Sequence, residues 1–500
     1  MLGHSCVSES EQRLVFDDIQ NTLRHSFAYG GGVAFRSAMM LLLIPLYMKF
    51  LSTHDMGVFG LLEATARFLI VVLEMGMGSA YILAVMHEET ADEKTTLSTA
   101  FSFLTIASLI VATALVTLRE PLSIILIGEA GYGTLLALVL GNVFFQVLRA
   151  VPLARLRARG QSKLYSALVG SAAALQVAFC FGALAVLRKG LFGAVAANAV
   201  AAAIVLVFFL VTMRRDLVRR FSTACLKSML KFGLPLVPAV LGATTLAFAD
   251  RYFLRHFRSL DEVGLYDMGY RFGMVMGLAI TAVQMAWPPA MYAVAKRKNA
   301  REFYALFLTC FFFGLCFLAM ALVFFSPDIV RAMGWEKAAP VVPWIVASYV
   351  CWGVQAVTNV GVNLKKKTHH QAAVIVAGAG LNLLLNWLLI LPYGATGAAA
   401  ATLISYALIA VIAAAVSLRL YPIRYEYGRL LKIGVVAVLL CLVTLPLGRL
   451  QSAWLSVGVK TVCLLSFPLV LYIARFYRPA ELQYVRQGVI AFVSSRGSRR

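Results

Sequence analysis

The feature that most constrains this chain is a series of long apolar runs that hold no ionised side chain. Residues 190–213 and 303–325 contain no Asp, Glu, Lys or Arg. Each is about as long as the ~20 residues an α-helix needs to cross the hydrocarbon core of a bilayer. Comparable runs recur from end to end. Only 14% of the 500 residues are charged and 61% are hydrophobic, whereas a water-soluble domain carries roughly 25% charged residues. So few charges do not cover a water-facing surface. The fold class this implies is an all-α polytopic membrane protein. Water-soluble enzymes, nucleic-acid-binding domains and disulfide scaffolds are excluded.

Apolar segments long enough to cross fall near 27–48, 57–86, 97–118, 133–148, 164–187, 190–213, 232–254 and 263–292. Others fall near 303–325, 340–363, 371–391, 394–417, 433–448 and 452–474. This predicts about fourteen transmembrane helices. The segment 121–127 is too short to cross and is expected in the interface.

Lys and Arg total 45 against 23 acidic residues, a formal charge of +22. In a soluble protein this would suggest nucleic acid; here it reads as the preference of Lys and Arg for cytoplasmic loops. One alternate set of loops carries most of them. Arg155, Arg157 and Arg159 follow helix 4, Arg214, Arg215, Arg219 and Arg220 follow helix 6, and Lys365, Lys366 and Lys367 follow helix 10. Arg149 belongs to the same loop set on this reading. Both termini are therefore expected in the cytoplasm of a cell whose inner membrane holds the protein. Residues 1–26 are polar and mixed in charge, unlike a cleavable signal, and predict a cytoplasmic tail or a short surface helix. The eight cysteines form no C-x-x-C pair, and His4 beside Cys6 does not make a metal site. No metal or other cofactor is implied.

The chain repeats itself at an offset near 205 residues. Ser52-Thr-His-Asp-Met-Gly57-Val-Phe59 answers Ser259-Leu-Asp-Glu-Val-Gly264-Leu-Tyr266. Gly190-Leu-Phe-Gly193-Ala194 answers Gly394-Ala-Thr-Gly397-Ala398. Both pairs occupy equivalent places in two blocks of six helices, which then enter the membrane in the same direction around a central cavity. The expected organisation is a tail (1–26), a six-helix lobe (27–213), a basic cytoplasmic linker (214–231) and a second six-helix lobe (232–417). Two C-terminal helices (418–474) and a basic cytoplasmic tail (475–500) complete it.

Ionised side chains at bilayer depth are costly and mark wet cavities or partners. Arg36 lies near the middle of helix 1, ~14 Å from the nearer end at 1.5 Å per residue, too far for easy snorkelling. It faces a cavity or sits in a buried ion pair. Glu63, Arg67 and Glu74 share one face of helix 2 by their spacing, and Glu63 and Arg67 also suit simple mutual neutralisation. Arg271 stands in the second lobe, so Arg36, Arg67 and Arg271 together suggest a cationic cavity. Asp250 beside Arg251 reads as a structural lock, with Glu63, Glu74 and Asp250 as the carboxylates open to ion coupling. Lys460 is expected to snorkel or to pack against the lobes. His369 and His370 beside three lysines suit lipid headgroups better than a metal. Amides such as Asn142, Gln146, Gln176 and Asn198 are polar enough to line a sugar cavity, or serve interhelical hydrogen bonds. Pro235 and Pro238 interrupt the start of helix 7 and are candidate hinges.

Several of these stretches carry a family resemblance. Ile44-Pro-Leu-Tyr, the Asp55-x-Gly57-x-Phe59 loop and Gly233-Leu-Pro-Leu-Val-Pro238 belong to it, with Asp250-Arg251, Glu262-Val-Gly-Leu-Tyr266 and Pro288-Pro289. In their order, over about residues 25–420, the chain resembles the O-antigen or exopolysaccharide flippases of the multidrug/oligosaccharidyl-lipid/polysaccharide exporter superfamily. The resemblance implies two lobes that alternate between inward- and outward-open states. It further implies a lipid-linked oligosaccharide substrate, carried on polyprenyl pyrophosphate for cell-surface polysaccharide or lipopolysaccharide biosynthesis. Membrane lipids and other polysaccharide-assembly proteins follow as partners, nucleic acid does not, and the activity is not enzymatic. Arginine suits a pyrophosphate because its planar fork bonds bidentately and stays charged; an anionic sugar would be met equally well. No G-x-x-x-x-G-K-[ST] loop is present. A cation-coupled drug exporter, a peptidoglycan-precursor flippase and a membrane glycosyl polymerase or ligase compete with this reading. The arginines speak against the first, and the lack of a sizeable outer loop against the last.

Overall fold

The computed structural model describes residues 31–32, 34–87, 92–444 and 453–478. The expected N-terminal tail, His4 and Cys6 lie outside them, as does the C-terminal tail beyond residue 478. Every regular element among the described residues is helical. Residues 34–41 form helical turns that lead into α1 (Leu43–Phe50). Then come α2 (Thr53–Glu74), α3 (Met77–His87), α4 (Glu93–Thr117), α5 (Arg119–Ile127), α6 (Gly133–Ala158), α7 (Ser162–Phe181) and α8 (Gly190–Met213). The chain continues through α9 (Thr223–Gly233), α10 (Val237–Phe248), α11 (Asp250–Phe257), α12 (Leu260–Val294) and α13 (Ala300–Ala332). It ends in α14 (Val342–Thr358), α15 (Val360–Leu364), α16 (Thr368–Leu420), α17 (Tyr427–Thr444) and α18 (Ala453–Ile473).

Among the described residues, twelve helices are long and apolar enough to cross a membrane. That number is compatible with the expected fourteen. The expected span 27–48 falls partly outside the described residues, and α16 joins two expected spans in one helix of 53 residues. The joint is Gly394, at φ 56° and ψ −134°, a conformation that a side chain on Cα disfavours. Charge caps both sides of it. Arg258 donates to the carbonyls of Ile390 and Leu391, at 3.3 and 2.7 Å, where the first half ends. Glu262 accepts from the Ala395 N–H at 3.2 Å, where the second half starts. Each charge opposes the helix-end dipole it meets. The expected interfacial segment is α5, nine residues long and so ~14 Å, too short to span. The linker expected over 214–231 is partly helical, since α9 begins at Thr223. Pro235 sits in a 3₁₀ turn between α9 and α10, and Pro238 in the first turn of α10, where a missing N–H leaves no bond unmade.

The described residues form two compact units. One comprises the chain up to Lys296 together with Met333–Pro422; the other joins Arg297–Ala332 to the residues from Ile423 onward. α13, expected in the second six-helix lobe, thus groups with the last two helices.

In the larger unit the repeated motifs start the two helices that cross beside the cavity. Ser52 caps α2 by accepting from Asp55 N at 3.0 Å, and Asp55 accepts from Ser52 N in return. Ser259 caps α12 by accepting from Glu262 N at 3.3 Å. Gly57 and Gly264, equivalent in the repeat, let the two backbones touch. A Cβ on Gly57 would lie 1.9 Å from the Leu260 carbonyl oxygen, and one on Gly264 1.9 Å from that of Thr53. Any larger residue at either position forces α2 and α12 apart.

The smaller unit packs α13, α17 and α18 around Phe324, Ile433, Phe467 and Leu471, with Phe313 stacked on Phe467 at 5.2 Å. Lys460 does not snorkel. It is buried and paired with Asp328 of α13, Nζ to Oδ2 2.6 Å.

Candidate functional site

A cavity of about 530 Å³ opens in the larger unit. It is walled by the helical turns 34–50, α2, α6, α7, α8, α12 and α14. Helical spacing delivers its chemistry. On α6, Asn142, Gln146 and Arg149 follow at i, i+4 and i+7 and so share one face. On α2, Phe59, Glu63, Arg67 and Ile70 do the same. Gln176 of α7 meets Asn198 of α8 at 2.5 Å, and Tyr349 and Trp352 enter from α14.

Four arginines line this space, Arg36, Arg67, Arg149 and Arg271, and Glu63 is the only carboxylate among the lining residues. The sequence-predicted Arg36, Arg67 and Arg271 are therefore brought together. Arg149, read from sequence as a loop residue, is a fourth: α6 runs on to Ala158 and carries it into the wall. Its Nε is buried without a hydrogen-bond partner among the described residues. Arg36 likewise meets no carboxylate at ion-pair distance among those residues.

Arg271 is in a different state. Its Nη2 lies 2.9 Å from Asp267 Oδ2 and 3.2 Å from Glu63 Oε2, and its side chain is only 8% exposed. The guanidinium is further held over the rings of Tyr47 and Phe59, 5.2 and 5.6 Å from their centroids. Glu63 turns its other oxygen to Arg67 at 3.3 Å, whose side chain stays 40% exposed. Arg67 thus keeps donors open to the cavity, while Arg271 is enclosed by carboxylates.

Behind Arg271 lies a buried network. Arg251 donates Nε and Nη2 to Asp267 Oδ1 at 3.0 and 2.8 Å, and Nη1 to Asp250 Oδ1 at 2.9 Å. Tyr266 donates its hydroxyl to Asp250 Oδ2. Every oxygen of Asp250 and Asp267 is engaged, as buried charges require. Asp250 is thus buried and paired with Arg251 and Tyr266. Glu74 is not among the cavity-lining residues, and its Oε1 packs against Gly78. Asp267 escaped the sequence reading, although Asp267-x-x-x-Arg271 is an i,i+4 pair and would have marked it. Among the described residues no cluster of three His, Cys, Asp or Glu side chains suits a metal ion.

Residues 48–304 match the family model described as polysaccharide biosynthesis protein, and residues 235–388 match the MatE model. No curated protein matches the chain by sequence. Among solved structures, the inward closed conformation of the lipid II flippase MurJ superposes with a TM-score of 0.73 at 14% identity. That match covers 90% of this chain and 99% of the other. An inward-facing multidrug resistance MATE family transporter of the MOP superfamily superposes with a TM-score of 0.61 at 15% identity, over 80% of this chain and 96% of its own. The Vibrio cholerae MATE transporter VcmN follows with a TM-score of 0.55 at 17% identity, over 80% and 97%. At these identities the likeness establishes the fold.

Proposed function

This chain belongs to the polysaccharide biosynthesis protein family, and we propose that it is a flippase that carries a polyprenyl-pyrophosphate-linked oligosaccharide across the cytoplasmic membrane. The observation that carries this reading is the cavity itself: four arginines against one carboxylate among its lining residues. Uncompensated guanidinium groups at bilayer depth are costly, and an anionic ligand that relieves them is bound with corresponding strength. Arg36, Arg67 and Arg149 bind the pyrophosphate, and Arg271 orients beside them. The cavity admits the phosphate-bearing headgroup while the polyprenyl tail stays in the bilayer. The basic loops face the cytoplasm and both termini lie there. The carrier works by alternating access and makes or breaks no bond in its cargo.

The MatE match over residues 235–388 favours one rival, a cation-coupled exporter of drugs. Such cargo is often cationic, and the net positive charge of Arg36, Arg67 and Arg149 repels it. Pro235 and Pro238 are proposed to bend the entry of the second repeat during transport. Replacing both by Ala leaves transport impaired if they do, and intact transport removes them from the mechanism.

The test uses cells lacking the protein. Spheroplasts are exposed to a membrane-impermeant glycan-modifying reagent and the carrier lipids are then extracted. Pyrophosphate-linked oligosaccharide that accumulates and stays shielded supports the flippase. Accumulation with full labelling indicates a polymerase or ligase. No accumulation at all transfers the case to drug export.

A further inference from the structure

We propose that Trp352, backed by Tyr349, is a platform on which a sugar ring of the cargo lies inside the cavity. This rests on the flippase reading above and assigns the glycan a subsite distinct from the arginines. The two aromatic residues stand at i and i+3 on α14 and so share a face. Their rings meet edge to face, with centroids 5.7 Å apart at 79°. Tyr349 is itself braced by Tyr270, centroids 6.0 Å apart at 69°.

α12 provides a flat bed beneath them. A Cβ on Gly277 would lie 3.0 Å from Tyr349 Cε1 and 3.8 Å from Trp352 Cζ3, and one on Gly273 2.8 Å from Tyr349 Cε2. The rings therefore rest on the backbone of α12, where larger side chains would displace them. Trp352 remains half-buried and lines the cavity. Its indole N–H makes no hydrogen bond among the described residues, which leaves a donor unused at the edge of the ring.

The rest of the wall complements this platform. Gln146 Nε2 donates to Asn142 Oδ1 at 3.2 Å. That bond leaves the Gln146 oxygen as an acceptor and the Asn142 NH₂ as a donor without partners among the described residues. A pyranose has apolar C–H faces and a polar rim of hydroxyls. The C–H face suits the electron-rich face of an indole, and the rim suits paired amides. Trp352 and Tyr349 enter the cavity from α14, whereas Arg36, Arg67 and Arg149 enter it from the turns 34–50, α2 and α6, so platform and charge stand on different walls.

The experiment measures binding to the purified full-length protein in nanodiscs with two probes: farnesyl diphosphate, and farnesyl diphosphate bearing an N-acetylglucosamine-containing disaccharide. The expected result is that Trp352→Ala weakens the glycan-bearing probe about tenfold and leaves farnesyl diphosphate unchanged. Trp352→Phe retains most of the glycan affinity, which also controls for misfolding of the alanine variant. Equal weakening of both probes, or of neither, overturns the platform. So does a wild-type protein that binds both probes equally well, an outcome that leaves the arginine site intact. A wild-type protein that binds neither probe overturns the flippase reading and the platform with it.

Discussion

Glu63 and Arg271 join the two repeats at the cavity wall, with Glu63 Oε2 3.2 Å from Arg271 Nη2 across α2 and α12. Glu63 is shared, since its Oε1 also meets Arg67. Asp267 completes the neutralisation of Arg271. Net positive charge in the cavity therefore resides with Arg36, Arg67 and Arg149, and Arg271 serves to hold the crossing helices in register beside them.

Replacing Arg36 or Arg149 by Ala is expected to weaken an anionic cargo more than it weakens the fold. A hydrogen bond to a charged group contributes about 1.5–3 kcal/mol, so the Kd for farnesyl diphosphate rises about tenfold to a hundredfold. Lys at either position restores part of the affinity, because the charge returns without the fork. Binding assays on each purified variant, with the thermal midpoint as control, measure it. A Kd that does not move removes that arginine from the site.

Asp267→Asn is expected to act on stability. Both Arg251 and Arg271 lose a carboxylate in a site that is almost fully buried. Removing one partner of such a pair costs about 3–5 kcal/mol. The thermal midpoint of the purified variant falls by several degrees or the protein fails to accumulate. A midpoint equal to wild type shows that the network is dispensable.

The crossing at Gly57 and Gly264 has to open if the carrier alternates. Thr53 Oγ1 donates to Asp261 Oδ1 across it, which makes these two positions the pair at which to test a cross-link. Thr53→Cys with Asp261→Cys is expected to transport when reduced and to stop when oxidised, with recovery on adding reductant. Full transport by the oxidised, cross-linked protein contradicts an opening at this point.

One acid-sensitive contact lies outside the spans. Asp216, between α8 and α9, is held below the usual carboxylate range, first by the Arg155 guanidinium, whose Nη2 lies 2.7 Å from its Oδ2 in an ion pair. A carboxylate with a depressed folded pKa contributes stability above its unfolded pKa, about 3.9, and loses that contribution as pH falls through the lower folded value. The wild-type thermal midpoint is thus expected to fall toward that of Asp216→Asn below about pH 4. Curves that stay parallel over that range show that the pair is not linked to acid unfolding.

Membrane class and helix positions were readable because a bilayer imposes a length and an absence of charge on every span. The repeat was readable at Ser52–Gly57 and Ser259–Gly264, where helix caps and a backbone contact both demand particular residues. Arg149 was not, because a basic residue at a span's end reads the same whether the helix stops or runs on. Asp267 was hidden by its neighbours, lying in an apolar run that the charge count passed over. Trp352 and Tyr349 carry no sequence mark that separates a cavity ring from a core ring; only the glycines of α12 beneath them do. For Lys460, packing against the lobes is the alternative that holds; its partner Asp328 was not readable, because it lies 132 residues away.

The most direct measurement places the purified protein in liposomes carrying farnesyl-diphosphate-linked disaccharide in both leaflets. A membrane-impermeant glycan-modifying enzyme is then added outside. Modification is expected to pass beyond the outer-leaflet share in proteoliposomes with wild-type protein, and to stop at that share when Arg36 and Arg149 are both Ala. Modification that stops at the outer-leaflet share with the wild-type protein, in vesicles where it is folded and correctly inserted, would contradict a flippase for diphosphate-linked glycans.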